Sequence, residues 1–171
     1  MIHIYTTTYT IVKKMTLKIK YLNRINGSSK NQAVILSKET KISDFKGIFD
    51  DKTNQKILNF LKKNKRTKDN RIFSLNLDFD KKLIIILVAH KNESFQSEKL
   101  GADFYDYSKR NEVNDVLIFG SNFKSVINKI NFESFLHGAE LKSYEFNLYK
   151  SKNKNKTINY YIWNKKNFSD Q

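Results

Sequence analysis

Residues 83–88 are the segment that most constrains what this chain can fold into. All six are leucine, isoleucine or valine, and no polar side chain interrupts them. A strand with one face in water would alternate apolar and polar residues, so this run predicts a strand that is buried on both faces. Strands of this kind belong to sheets that are covered by helices on each side.

Strand patterns and helix patterns alternate along the rest of the chain. The predicted strands cover residues 15–22, 33–36, 73–79, 83–88, 116–120 and 158–163. The predicted helices run from Asp50 or Asp51 to the basic residues at 62–68, over 94–111 and over 132–149. This order predicts an α/β fold with a mixed β-sheet flanked by helices on both faces. In the second helix, Phe95, Leu100 and Phe104 recur at helical spacing, and Gly101 is expected to mark a close contact between helix and sheet.

The length of 171 residues, 39% of them hydrophobic, suits one domain with its own core. Residues 1–14 differ from the rest of the chain, because a clean strand pattern begins only at Met15. We therefore expect residues 1–14 to be a disordered or over-predicted extension, with Met1 and Met15 both open as the native start. Residues 15–165 form the expected domain, and residues 166–171 a polar tail.

The net charge of +15 has two interpretations. Of the 32 basic residues, 28 are lysine and only 4 are arginine. An excess of Lys, Asn and Ile is what an A/T-rich coding sequence produces, so many lysines need only be solvated. The other interpretation is a basic face that binds nucleic acid. The candidate contacts for such a face are Lys62, Lys63, Lys65, Arg66, Lys150, Lys152, Lys154 and Lys156.

The sequence contains no recognisable catalytic or metal-binding motif. It has no cysteine, no glycine-rich phosphate loop and no closely spaced histidine pair. His90 comes just after the buried run 83–88, where α/β proteins bind ligands, and an ordinary surface histidine also fits this position. No apolar run is long enough to cross a bilayer and no signal peptide is evident, so we expect no membrane association and a cytoplasmic location.

Residues 135–152 carry the most specific pattern in the chain. The segment resembles the end of the N-terminal domain of the leucyl (cytosolic) aminopeptidase family, where a helix reads approximately G-x-x-L-x-S-Y-x-F-x-x-Y-K-S. The matching residues are Gly138, Leu141, Ser143, Tyr144, Phe146, Tyr149, Lys150 and Ser151. We expect these signature residues to be structural.

The resemblance implies a macro-domain-like, three-layer α/β module. In the family this module packs on a catalytic domain and contributes to hexamer assembly, and in some bacterial members it takes part in DNA binding. The family's catalytic domain uses two divalent metal ions, Zn or Mn, but its motif has no counterpart here, so no catalytic residue, metal ligand or cofactor is carried over.

The resemblance therefore suggests a non-catalytic accessory domain of a split or truncated aminopeptidase. Its expected partner is a catalytic aminopeptidase domain or further copies of this chain, and whether the chain is itself part of an enzyme stays open. The alternative is a stand-alone basic module that binds nucleic acid or nucleotides, with a macro-type pocket near His90.

Overall fold

A six-stranded sheet carries the fold in this computed structural model, which describes residues 13–22, 31–78, 81–121, 123–146 and 156–163. The strands are β1 (Lys13–Met15), β2 (Leu17–Leu22), β3 (Asn31–Ser37), β4 (Arg71–Asn76), β5 (Lys82–Val88), β6 (Asp115–Phe119), β7 (Tyr144–Phe146) and β8 (Ile158–Trp163). The helices are α1 (Ile42–Phe45), α2 (Asp51–Lys63), α3 (Ser94–Arg110), α4 (Lys124–Ile127) and α5 (Phe132–Ser143).

The main sheet has the strand order β2-β8-β6-β3-β5-β4. All neighbouring strands are parallel except β4, which runs antiparallel to β5. The expected mixed sheet is therefore confirmed. The run at 83–88 lies in β5 and is fully covered, because apolar strands flanked by helices on both faces leave no side chain in water.

Aromatic contacts show which helices cover which face of the sheet. On one face, Phe104 of α3 packs against Phe135 of α5 and Tyr160 of β8. On the opposite face, Phe119 of β6 contacts Phe49, which lies between α1 and α2. On that same face, an aromatic ring of α2 packs edge-on against an aromatic ring of β4. The result is a three-layer arrangement, with α3 and α5 on one side and α1 and α2 on the other.

Two glycines bring α3 and α5 into direct backbone contact. A Cβ atom at Gly101 would lie 1.7 Å from the Phe135 carbonyl oxygen, and one at Gly138 would lie 1.9 Å from the Glu98 carbonyl oxygen. The expected helix–sheet contact at Gly101 is therefore wrong, because its neighbour is α5. An ion pair also joins the two helices: Lys142 Nζ of α5 lies 3.0 Å from Asp106 Oδ2 of α3.

Helix α5 is shorter than its sequence pattern predicts. The expected helix over 132–149 ends at Ser143, and Tyr144–Phe146 forms β7 instead. This segment leaves the helix because it pairs antiparallel with β1, Met15 opposite Tyr144. Residues 147–149 lie outside the described residues.

The N-terminal strands are fixed to the helices by a buried hydroxyl group. Thr16, between β1 and β2, donates its hydroxyl hydrogen to the Ser143 carbonyl oxygen at 3.0 Å, and its Oγ1 lies 2.5 Å from the Tyr105 hydroxyl. Strand β1 begins at Lys13, two residues before the domain boundary expected at Met15, because it pairs with β7. Residues 1–12 and the expected tail at 166–171 lie outside the described residues.

Candidate functional site

The carboxyl ends of the parallel strands form the part of this fold that most often binds ligands in α/β proteins. Three segments meet there: residues 38–41 after β3, residues 89–93 after β5, and the residues that follow β6 from Gly120 onward. Two places at this edge have different structures. Between β3 and β6, which are neighbours at the centre of the sheet, side chains bond to one another, whereas a cavity lies at the end of β5.

Four polar residues connect the segments that follow β3 and β6, and we call them the polar latch: Ser37, Thr40, Asp44 and Ser125. The Ser37 amide donates to Thr40 Oγ1 at 2.8 Å, and Thr40 Oγ1 lies 2.9 Å from Ser125 Oγ. Ser125 Oγ donates to Asp44 Oδ2 at 2.9 Å. Since Ser125 gives its hydrogen to a carboxylate, the Thr40 hydroxyl donates to Ser125, and both of these hydroxyl hydrogens are used.

Two further contacts hold the same loops together. Lys129 Nζ lies 2.7 Å from Glu39 Oε1, which bridges the ends of the two loops. Gly120 has φ +99°, and a Cβ at this position would lie 2.4 Å from the Ile35 carbonyl oxygen. The backbone after β6 therefore approaches β3 more closely than any side chain would allow.

A second feature lies at the end of β5, where a cavity of ≈ 320 Å³ opens to solvent. Its lining residues are Asp69, Asn70, His90, Gln96, Lys99, Leu100 and Asp103. They come from the segment before β4, the segment after β5, and one face of α3. We call this feature the β5 cavity.

Asn70 and His90 hold the walls of the β5 cavity in place. Asn70 Oδ1 accepts from the Ala89 amide at 3.0 Å, and Asn70 Nδ2 donates to Asn92 Oδ1 at 2.8 Å. His90 Nδ1 lies 3.2 Å from the Lys68 carbonyl oxygen. The segment that precedes β4 is therefore tied to the segment after β5. The cavity contains the histidine that the sequence places after the buried run.

The charges at the β5 cavity are of both signs. Lys99 and Asp103 project from α3, and Asp69 stands opposite, with its Oδ2 4.0 Å from Arg71 Nη2. Leu100 is buried and supplies an apolar surface. Within the described ranges, no three His, Asp or Glu side chains are grouped so as to hold a metal ion. The cavity thus offers hydrogen-bonding groups around an apolar patch.

Five of the eight predicted basic residues are described by the structure, and Lys156 lies apart from the other four. Lys62, Lys63, Lys65 and Arg66 lie at the C-terminal end of α2, near the carboxyl edge of the sheet, where their charge complements the helix dipole. Lys156 is exposed just before β8, at the opposite edge. The other three candidates, Lys150, Lys152 and Lys154, lie outside the described residues.

The signature residues that the structure describes have structural surroundings. Gly138 permits the backbone contact with α3, and Ser143 Oγ donates to the Glu140 carbonyl oxygen at 2.8 Å. Tyr144 and Phe146 belong to β7, and the side chain of Leu141 is 47% exposed at the end of α5. Tyr149, Lys150 and Ser151 lie outside the described residues.

Sequence patterns did not indicate the polar latch or the position of Phe95. Single serine and threonine residues in loops carry no spacing that would predict contact, and the short helices α1 and α4 have no periodicity to detect. Phe95 was expected to face inward with Leu100 and Phe104, but its side chain is 75% exposed. It lies in the first turn of α3, before the first buried residue of that helix, Ser97.

Comparison with solved structures decides the type of fold. The chain superposes on a mutant of tomato leucine aminopeptidase with a TM-score of 0.57 and 14% sequence identity, over 92% of this chain and 34% of that one. The macrodomain of DarG from Thermus aquaticus matches with a TM-score of 0.53 and 8% identity, over 86% of this chain and 99% of that one. The chain has a macro-domain-like fold.

The macrodomain of DarG from Mycobacterium tuberculosis is a third example, with a TM-score of 0.53, 10% identity, and coverage of 85% of this chain and 97% of that one. This macro-domain-like chain spans about a third of the length of the leucine aminopeptidase and nearly all of each macrodomain. The three-layer α/β fold expected from the sequence is thus confirmed, as is its likeness to the aminopeptidase N-terminal domain.

No protein-family model and no curated protein matches the sequence. Among the helices that the structure describes, none is both long enough and apolar enough to span a lipid bilayer.

Proposed function

We propose that this chain is a non-catalytic accessory domain that docks onto a catalytic chain of the leucine aminopeptidase type or onto further copies of itself. The observation that carries this proposal is the polar latch at the carboxyl ends of β3 and β6. Thr40, Asp44 and Ser125 lie where α/β sheets commonly bind ligands, and their hydroxyl and carboxylate groups bond to one another. A domain whose polar groups at this edge bond to one another is suited to contact by its surface.

The likeness to leucine aminopeptidase supports this proposal, since it extends over nearly the whole chain. The same likeness includes macrodomains that match over nearly their full length, so it does not decide the role by itself. The polar latch favours the docking role, because its residues bond to one another across the loops after β3 and β6.

The docking proposal is tested by measuring the mass of the purified chain by light scattering at increasing concentration. The chain is measured alone and mixed with the catalytic leucine aminopeptidase chain from the same organism, at low and at high salt. We expect a complex or a homo-oligomer that persists at high salt, because an interface with an apolar core is screened little by ions. A chain that stays monomeric in every mixture would refute the proposal.

A second candidate function, nucleic-acid binding, is favoured by the basic end of α2. Lys62, Lys63, Lys65 and Arg66 stand within five positions, and none forms an ion pair with an acidic residue of the described chain. Clustered cations that are not neutralised by nearby carboxylates attract phosphate groups.

Binding of random-sequence nucleic acid at several salt concentrations tests this second function. Contact through several lysines predicts an affinity that falls steeply as the salt concentration rises, because each neutralised phosphate releases counterions. Absence of binding at low salt would leave the lysines as solvated surface residues.

A further inference from the structure

We propose that the β5 cavity and the basic end of α2 form one binding site for single-stranded nucleic acid, in which an unstacked base enters the cavity and the phosphates lie along the lysines. This inference rests on the second candidate function and adds to it the form of the nucleic acid and the residues that select it.

The first support is that the two features are physically joined. The basic run of α2 continues into residues 67–70, and the Lys68 carbonyl oxygen lies 3.2 Å from His90 Nδ1 at the cavity wall. Two residues further on, Asn70 bonds to the backbone of Ala89. The chain therefore passes from the basic end of α2 into the cavity wall within a few residues, so that a flexible strand can contact both.

The second support is the division of charge between the two parts. Asp69 and Asp103 line the cavity and would repel a phosphate placed inside it. A base is uncharged, and its amino and imino groups donate hydrogen bonds that carboxylates and amide oxygens accept. The cations outside the cavity and the carboxylates within it match a nucleotide whose backbone stays at the surface while its base turns inward.

The third support is the position of Phe95. Its side chain is 75% exposed, and it precedes Lys99 by four residues on α3, so the two side chains are neighbours on one helix face. Lys99 lines the cavity. An exposed aromatic ring one helical turn from a cavity that holds hydrogen-bonding groups can stack on an adjacent base, as aromatic residues do in proteins that bind single strands.

The size of the β5 cavity favours a single strand over a duplex. A volume of ≈ 320 Å³ lies at the lower end of ordinary ligand pockets, about 300–1,000 Å³, and suits one base and part of its sugar. A base in a duplex is stacked on both sides and paired at its edge, so it reaches such a cavity only after being extruded at an energetic cost.

The experiment measures binding of the purified whole chain to a fluorescent oligonucleotide of mixed sequence by anisotropy. The probes are a single DNA strand, the same strand in a duplex, and its RNA version, each at several salt concentrations. We expect the single strands to bind more tightly than the duplex, and the comparison of DNA with RNA shows which sugar is preferred.

Substitution of Phe95 tests the stacking contact. Phe95→Ala is expected to weaken single-strand binding by about tenfold, as for a lost base–aromatic stack, with an unchanged salt dependence. Phe95→Leu, which keeps an apolar side chain without a ring, is expected to weaken it similarly. Because the side chain is exposed, neither change should disturb folding, and circular dichroism checks this.

The basic run is tested by a triple substitution with a matched control. Changing Lys62, Lys65 and Arg66 to Gln should lower the slope of log affinity against log salt by about 2, since each phosphate contact on a single strand contributes about 0.7. Changing Lys18, Lys46 and Lys82 to Gln removes the same charge from exposed positions away from the cavity. This control should leave the slope nearly unchanged.

The outcomes separate the two proposals. Equal affinity for single strand and duplex, or unaltered binding by Phe95→Ala, would overturn the inference while leaving nucleic-acid binding intact. If the control triple lowered the salt slope as much as the substitutions in the basic end of α2, binding would reflect only attraction to net charge. That result would also overturn the inference. No binding of any probe at low salt would refute the second candidate function together with the inference.

Discussion

The two faces of the sheet hold their helices by different kinds of contact. On one face, the backbones of α3 and α5 touch at Gly101 and Gly138. The space between the two helices there is too small for even one methyl group. On the side of α1 and α2, at the carboxyl edge of the sheet, the loops around α1 and α4 are joined through hydrogen bonds of Thr40, Asp44 and Ser125. The first face should be sensitive to added atoms, and the second to lost hydrogen bonds.

The largest effect is expected from Gly138→Ala. Alanine is the better helix former by about 1 kcal/mol in an open helix, which alone would stabilise α5. Here the new Cβ would lie 1.9 Å from the Glu98 carbonyl oxygen, and the neighbouring atom is backbone that cannot rotate away. We expect a net loss of about 3 kcal/mol or more in the free energy of unfolding, measured by urea titration.

Asn59→Ala in α2 is the control for helix propensity, because Asn59 is exposed and its substitution adds no crowding. It should raise stability slightly, by at most about 0.7 kcal/mol. If Gly138→Ala were as stabilising as this control, the close contact between α3 and α5 would be disproved.

A smaller effect is expected on the opposite face from Ser125→Ala. The change removes the group that links Thr40 to Asp44, and should cost about 1–2 kcal/mol because the buried Thr40 hydroxyl loses its acceptor. Hydrogen exchange should rise in residues 37–44 and around α4, and stay unchanged in α3 and α5. Ser43→Ala, at an exposed serine of α1, is the control. Uniform exchange changes on both faces would contradict the difference between them.

The sequence predicted the layers of the fold better than it predicted their contacts. The buried run at 83–88 and the helix start at Asp50 or Asp51 are local signals. The first is confirmed by β5, and the second by α2, which begins at Asp51 with Asp50 Oδ1 accepting from the Thr53 amide at 2.7 Å. The end of α5 was missed because pairing with β1, more than a hundred residues away in the chain, overrides the helical pattern after Ser143.

The candidate site could be predicted only in part, for the same reason. The position of His90 follows from a strand end, which is local, and the β5 cavity is found there. The polar latch joins residues 85 positions apart through single hydroxyl groups, and no periodicity or spacing marks such a pair in a sequence. Phe95 fits a helical spacing and still lies outside the core, in the first turn of α3, where the helix has no buried residue before Ser97.

Acid should affect the α2 side of the molecule through two carboxyl groups. The hydrogen bond from Thr53 lowers the pKa of Asp50, and the hydrogen bond from Lys52 lowers the pKa of Asp78. A lowered pKa in the folded state means that the stabilisation is present above the pKa of the unfolded chain and is lost as the pH falls through the folded value. Urea midpoints should therefore decrease on acidification, and less so for Asp50→Asn.

The control for this titration is Asp51→Asn, which removes the neighbouring charge and keeps the cap of α2. If Asp50→Asn and the parent chain lost stability in parallel over the acidic range, the cap would contribute nothing to the acid response. Hydrogen exchange at low pH would locate the change, which is expected first in α2 and not in the helices that meet at Gly101 and Gly138.

The smallest effect at neutral pH is expected from Tyr160→Phe on the α3–α5 face. The Tyr160 hydroxyl lies 3.2 Å from Ser108 Oγ, and Ser108 still donates to the Phe104 carbonyl oxygen when that hydroxyl is removed. The Ser108 hydroxyl hydrogen keeps its acceptor, so stability should change by less than about 1 kcal/mol. A shape-conserving change on the crowded face is thus tolerated, whereas one added methyl group is not.

Alkali should separate Tyr160→Phe from the parent chain. Burial raises the pKa of Tyr160 far above its usual value, so the folded state keeps its proton after the unfolded chain has released it. The parent chain therefore loses stability as the pH rises above the pKa of the unfolded tyrosine, about 10, and Tyr160→Phe is spared this loss. Urea midpoints at neutral and alkaline pH measure the difference, with Tyr21→Phe, at a tyrosine that is 65% exposed, as the control. Equal alkaline losses in all three proteins would mean that Tyr160 is open to solvent, and the packing described for this face would be incorrect.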